Sequence, residues 1–301
     1  MENKKIFPGW LIVASGFLIM ATCYAVFINC MTLFLVPVTA DLGIMRAQFN
    51  ANLSIAGVVG IIASLLVGKI VDRYNAKYLG MASVILSVVI MLGWWQVTAV
   101  WQIYALSCIE GFVVIAGTRL LISILIANWF DKLRGLALSI ALSGSGVGGV
   151  VMTLLTSHFI AAYGWRTTFL ILAVITFICA FPLTFALYTR PSDLGLLPYG
   201  AANTGTKSGQ EQVQTYGVGS KTAVRSTAFW VLMIGFFLMG LIAGAVIMNV
   251  AATFTDAGHT ALFASRIVSL ELFVVIFGKL ILGSVYDRLG LVSGTVLGSV
   301  T

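Results

Sequence analysis

Charge is what this sequence has least of. Only 9% of its 301 residues are Asp, Glu, Lys or Arg and 60% are apolar, against about 25% and 45–50% in soluble domains. A water-soluble fold has nowhere to bury that much apolar surface, so a soluble domain is excluded. Proline is scarce, five residues against 31 glycines, which suits helices packed closely through small side chains. His158 and His259 are the only histidines, both at helix ends and far in sequence from any Cys or Asp cluster; no catalytic constellation forms and no enzyme is expected. Cys23, Cys30, Cys108 and Cys179 all fall inside apolar runs at spacings that match no metal or redox pattern, so neither metal nor cofactor is expected. No lysine-bearing phosphate loop is present, which argues against ATP-driven work. The formal charge of +7 is spread over short loops rather than a stripe, which removes nucleic acid as a partner. Met1–Lys5 lead straight into a long apolar run with no small-residue cleavage site, so no cleavable signal peptide is expected.

Long hydrophobic runs are what the chain has instead. A bilayer core needs about 20 apolar residues per helix. Eight runs qualify: Trp10–Val36, Asn52–Val71, Tyr78–Val97, Trp101–Phe130, Gly135–Phe159, Thr167–Tyr188, Phe229–Phe254 and Ala261–Val285. A ninth opens near Leu291 and is cut at Thr301. With the amino terminus in the cytoplasm, the inner loops hold Lys4, Lys5, Lys69, Arg73, Lys77, Lys132, Arg134, Arg190, Lys207, Lys221, Arg225 and Arg288. The outer side keeps only Arg46, Arg166 and Arg266, and that asymmetry sets the orientation. From Thr189 to Ala228 the chain is polar and rich in Gly, Ser, Thr and Gln, the composition of a flexible linker. The expected layout is an all-α membrane protein. A six-helix bundle spans 1–188, a cytoplasmic linker 189–227, and an incomplete second bundle of about two and a half helices 228–301. Such a product is expected not to transport by itself.

The two groups of helices repeat a motif. Gly68-Lys69-Ile70-Val71-Asp72-Arg73 ends the second run and Gly283-Ser284-Val285-Tyr286-Asp287-Arg288 the eighth, at an offset of 288 − 73 = 215. Internal symmetry of this kind marks two-bundle transporters. With Gly-x-x-x-Asp-Arg after the second helix, the chain resembles the major facilitator superfamily over its whole length. A closer likeness, to the oxalate:formate antiporter and monocarboxylate porter branch, rests on five segments. They are Phe7-Pro8-Gly9-Trp10; Asn128-Trp129-Phe130-Asp131-Lys132-Leu133-Arg134-Gly135-Leu136-Ala137; Ser143-Gly144-Ser145-Gly146-Val147-Gly148-Gly149; Gly164-Trp165-Arg166; and Arg190-Pro191-Ser192-Asp193-Leu194-Gly195-Leu196-Leu197-Pro198. Two departures count against a proton-coupled drug exporter: Ser107 stands where many facilitators have arginine before Gly111, and Gly146-Val147 replaces a Gly-Pro pair.

Ionisable groups at bilayer depth cost about 2.5–3.5 kcal/mol on insertion scales and mark function by default. Arg119 lies eleven residues before Phe130 and Lys279 eight before Asp287, roughly 12–17 Å from the cytoplasmic helix ends at about 1.5 Å per residue. Arginine grips a carboxylate with a two-pronged fork and lysine acts as a point charge, so the pair forms a candidate anion site. The resemblance implies a substrate-binding arginine on the eighth helix, and Lys279-x-x-x-Gly283-x-x-x-Asp287 keeps its spacing with lysine substituted. The bland readings are a Lys279 that snorkels to the cytoplasm and an Arg119 paired structurally with a neighbouring helix. Glu271 and Glu110 are candidates for proton coupling, against an ion pair with Lys279 and a packing role respectively. Asn29 and Asn249, on equivalent first and seventh helices, either line the pathway or bond across helices.

The resemblance further implies that the acidic residue of each signature loop closes the cytoplasmic side. Asp287 is expected at the first turn of the fifth helix, with Arg134 or Lys132 as an added cation. The expected activity is secondary transport of a small organic anion, a mono- or dicarboxylate, by alternating access. Proton-coupled efflux of apolar or cationic compounds is the alternative, and a non-transporting solute sensor the alternative of another class. A monomer in a bacterial cytoplasmic membrane is expected, with lipid and a small-molecule substrate as its partners.

Overall fold

The structure, a computed structural model, describes residues 7–185, 187–200, 220–258, 270, 273–274 and 276–288. Of residues 72, 220–221, 241–253 and 255–256 it describes the backbone only. The described residues contain no strand beyond one bridge between Phe130 and Tyr199.

Helix α1 covers Gly9–Leu42, α2 Arg46–Arg73, α3 Ala76–Trp95 and α4 Val100–Trp129. A helical stretch from Arg134 to Thr184 follows, broken at Gly164, whose φ of 78° and ψ of 165° lie in a region essentially closed to other residues. The break separates α5 (134–163) from α6 (165–184). Helix α7 covers Thr227–Asp256 after a short turn at Ser220–Val224, and α8 covers 276–288. Helix ends differ by a few residues from the apolar runs. Helix α1 continues through Pro37 until Gly43 turns left-handed at φ 62°. Helix α2 starts at Arg46 because the Gln48 side chain accepts the Met45 N–H at 2.9 Å. Five of the described helical stretches are long and apolar enough to cross a membrane, the broken Arg134–Thr184 stretch counting once.

The chain forms two compact units, one holding α1–α6 with α8, the other holding α7. Within the first, helices meet where side chains are missing. Gly144 and Gly148 of α5 leave no room for a Cβ against the backbone of Phe17 and Ala21 in α1, and Gly111 of α4 abuts Ala56 of α2 in the same way. Small residues permit such approach where lipid provides no hydrophobic drive between helices. One apolar cluster, with Ile12, Leu121, Trp129 and Phe130, fills the half nearer the basic loops. A second, with Phe27, Phe34, Phe49, Trp94 and Phe169, fills the far half, where Phe169 stacks on Phe34 at 4.1 Å and on Trp94 at 5.4 Å. Outside, Ile61, Ile62 and Leu65 of α2 are exposed, an apolar surface suited to a bilayer.

The segment after α6 departs from the linker reading over 189–200. The Trp129 indole donates to the Tyr188 carbonyl at 2.9 Å, Asn128 donates to the Thr189 carbonyl at 3.1 Å, and the Thr189 hydroxyl accepts the Ala76 N–H at 2.8 Å. Pro191–Leu194 form a 3-10 turn, closed by Asp193 accepting the Arg190 N–H at 3.0 Å. The Tyr199 carbonyl accepts the N–H groups of Asp131 and Lys132, and its own N–H donates to Trp129. Its ring joins Phe7, Trp10 and Phe130. Three segments far apart in sequence, 7–10, 128–132 and 188–199, thus meet in one aromatic knot. Its polar composition made this segment look free; its backbone bonds and its one aromatic residue anchor it.

The far end has a knot of its own. Arg166 donates to Asp41 at 3.0 Å and to the carbonyls of Val97 and Trp95 at 2.8 and 3.2 Å, and lies 4.2 Å from the Trp165 ring centre. One guanidinium so joins the ends of α1, α3 and α6.

Candidate functional site

Two helices change pitch around the candidate residues. Helix α1 passes through π-helical turns at Met20–Tyr24 and Val26–Cys30, and α4 through one at Val113–Leu120. Such wide turns are rare and recur at functional sites. Within the first and last of them, the hydroxyls of Thr22 and Thr118 bond back to the carbonyls of Leu18 and Val114, which competes with the regular ladder. Asn29 lies in the second π segment of α1 and Arg119 in that of α4.

Asn29 reaches α5. Its amide donates to the Ser145 carbonyl at 3.0 Å, and a Cβ on Gly149 would strike it. Lys279 of α8 reaches the same residue, its ammonium donating to the Ser145 hydroxyl at 3.0 Å. The Lys279 side chain is thus engaged within the bundle rather than drawn to the basic end. Arg119 is exposed on α4. The one salt bridge among the described residues is Arg166–Asp41, so neither cation has a carboxylate there. Four helices, α1, α4, α5 and α8, supply this group.

Glu110 sits elsewhere. It is 2% exposed, and one of its carboxylate oxygens has no partner. At helical spacing it shares a face with Leu106 and Gly117, which meet Gly93 and Ser83 of α3. Asn249 belongs to α7 and Asp72 to the last turn of α2; their side chains, like all of Glu271, lie outside the described residues. Gly68 has open space around it and Arg73 is exposed beside Tyr74.

The second signature loop is fully placed. Asp287 accepts the N–H of Gly135 at 2.8 Å with one oxygen and that of Leu136 at 2.7 Å with the other. These are unpaired N–H groups in the first turn of α5, where a helix carries about half a positive charge. Arg134 does not add a cation to this contact. It donates to the carbonyls of Phe130 and Ala127 at 3.0 and 2.8 Å, closing the end of α4. Above the carboxylate, Gly283 lies against Ser139 and the Gly135 carbonyl, and Gly146 against Ile276. Arg288 is exposed at the end of α8 and borders a groove with Leu280, Ile281, Ser284 and Val285. The groove's lining includes neither Arg119 nor Lys279, so it is separate from the cation group. Ser139 and Ser145 carry no charge; their sequence signal is a place in small-residue stretches of α5, which for Ser145 is the segment Ser143–Gly149.

Helices closed through glycine contacts, five of the described stretches long and apolar enough to cross a membrane, define the architecture of a polytopic membrane protein. The model of the Major Facilitator Superfamily matches residues 16–301, and the chain belongs to that superfamily. It is similar to the MFS transporter asaE of Aspergillus flavus, 25% identical over 75% of this chain and 47% of that protein. It is also similar to the MFS-type transporter pytF of Aspergillus terreus, 26% identical over 55% of this chain and 50% of that one. The riboflavin transporter RibJ of Trypanosoma brucei brucei is 26% identical over 42% of this chain and 22% of its own length. The chain spans about half or less of the length of these relatives.

Proposed function

We propose that the protein is a secondary transporter of a small organic anion, a mono- or dicarboxylate, that works by alternating access. The observation that carries this reading is Lys279, held with Asn29 at Ser145 of α5 and facing no carboxylate among the described residues, with Arg119 of α4 as a second cation on another helix. Two like charges in one low-dielectric region repel, and an anion between them relieves the repulsion. The reading agrees with the likeness to the oxalate:formate and monocarboxylate branch. It takes the basic end as cytoplasmic, which the distribution of Lys and Arg supports. Asp287 on the first turn of α5 then serves as a latch on that side.

A second reading, proton-coupled movement of an uncharged or cationic solute, is favoured by Glu110, a buried carboxyl with an unpartnered oxygen. The named substrate of one relative, riboflavin, belongs in the same test. Uptake of labelled oxalate, formate, lactate, pyruvate and riboflavin into membrane vesicles carrying the full-length protein separates the two. Saturable uptake of a carboxylate that Arg119→Gln and Lys279→Gln abolish is the expected result. Uptake of riboflavin alone, lost in Glu110→Gln and kept in both cation variants, would replace the first reading by the second.

A further inference from the structure

One uncharged residue, Ser145, joins Lys279 and Asn29. The Ser145 hydroxyl accepts from the Lys279 ammonium at 3.0 Å and donates to the Leu142 carbonyl at 2.8 Å. The Ser145 carbonyl accepts from Asn29 at 3.0 Å. The side chain is 7% exposed, so these bonds are sheltered from competition by water. An ammonium has three donors, and Ser145 accepts one of them. That neutral hydroxyl is what keeps the ammonium against α5.

The seam between α5 and α8 is otherwise uncharged until its end. Gly146 meets Ile276, and Ser139 and Gly135 meet Gly283. These contacts are apolar or small and resist sliding weakly. Among the described residues, two polar fastenings of this seam stand out: Lys279 to Ser145, and Asp287 to the N–H groups of Gly135 and Leu136 at the basic end. They lie on one helix at positions 279 and 287, so a displacement of α8 that breaks one strains the other.

From this geometry we infer that Ser145 is a positioning residue. It holds Lys279 and Asn29 in place and ties α5 to α8 while the site is empty, then gives up the Lys279 ammonium to an arriving carboxylate. The inference rests on the anion reading for its release step and stands without it for the tie. A carboxylate makes charge-assisted bonds roughly twice as strong as those to a neutral hydroxyl, so it displaces Ser145 from the ammonium. Loading the site thereby removes one of the two fastenings, and the seam opens more readily when substrate is present than when it is absent.

The test places spin labels at Asp131→Cys and Ile281→Cys in the full chain, on a background with Cys108 and Cys179 replaced, and measures the label distance distribution. Both labelled positions are exposed. In the absence of any organic anion, Ser145→Ala is expected to raise the population with a separated seam about 2- to 10-fold, the value of one ordinary hydrogen bond. Ser145→Thr, which keeps the hydroxyl, is expected to behave as the parent. Adding oxalate, formate, lactate or pyruvate to the parent is expected to produce the same separation, and to add nothing in Ser145→Ala. An unchanged distribution in anion-free Ser145→Ala overturns the tie, whatever the carboxylates do. A seam loosened by Ser145→Ala but insensitive to every carboxylate in the parent upholds the tie and overturns both the release step and the anion reading.

Discussion

Replacing Asp287 by Asn removes a charge and keeps the shape, and its effect follows from two contacts at the foot of α5. The carboxylate accepts from Gly135 at 2.8 Å and from Leu136 at 2.7 Å. An amide offers one oxygen, so one N–H keeps its partner and the other meets an NH2 group. A hydrogen bond to a charged acceptor is worth about 1.5–3 kcal/mol, and a negative charge at a helix amino terminus about 0.3–1 kcal/mol. The contact is exposed, so screening reduces that sum to about 1–2 kcal/mol, or about 5- to 30-fold in the equilibrium between shut and open basic ends. A cysteine at Ser139, on the seam beside Gly283, reports the opening. With Cys108 and Cys179 replaced, its rate of modification by an impermeant maleimide is expected to rise about 5- to 30-fold in Asp287→Asn. It should not rise in Asp131→Asn, which removes an exposed charge from the same end. Salt near 1 M is expected to shrink the difference, because the screening length falls to about 3 Å. Equal rates in Asp287→Asn and its parent at low salt would refute the latch.

Three further outcomes follow from the packing and the charges. Arg119→Gln and Lys279→Gln are each expected to abolish carboxylate uptake at unchanged membrane abundance; normal uptake by either removes that residue from the site. Arg166→Ala loses its bonds to Asp41, Trp95 and Val97 and its contact with Trp165. A loss of about 1–3 kcal/mol is expected, read as a lower midpoint of thermal unfolding in detergent, with Arg166→Lys recovering only part of it. Gly148→Ala puts a methyl against the Ala21 backbone and is expected to cost about 1–3 kcal/mol as an overpacked contact, while Gly57→Ala, in open space, is expected to cost nothing measurable at that site.

Much of the first bundle was legible because the bilayer leaves few choices. Apolar runs of the required length became helices, and the gap between the runs Gly135–Phe159 and Thr167–Tyr188 holds the break at Gly164. Asp287 was placed by the repeat, since a loop that recurs at equivalent helices meets equivalent neighbours. Arg134 was misplaced because sequence shows a cation near a helix start and does not show that α4 ends there with open carbonyls. The π-helical turns left only a faint trace, the hydroxyls of Thr22 and Thr118 inside apolar helices. Ser145 was invisible as a site residue: its part depends on Lys279 arriving from a helix 134 positions away, and nothing in its own neighbourhood announces that. The segment 189–200 was read as free because composition describes side chains, whereas this stretch is held mostly through its backbone.

That last anchoring changes where the chain can be pulled. After α6 the polypeptide crosses beneath α3 and α4 before Tyr199 is fastened to residues 129–132, and Gly200, left-handed at φ 83°, comes to rest against Lys132. Tension arriving from residues beyond Gly200 is therefore delivered to the foot of α5, two residues from the Arg134 that opens that helix and three from the Gly135 N–H that holds Asp287. A connection rooted at the end of α6 would load a different helix. Rooted here, it loads the helix turn whose N–H groups hold Asp287.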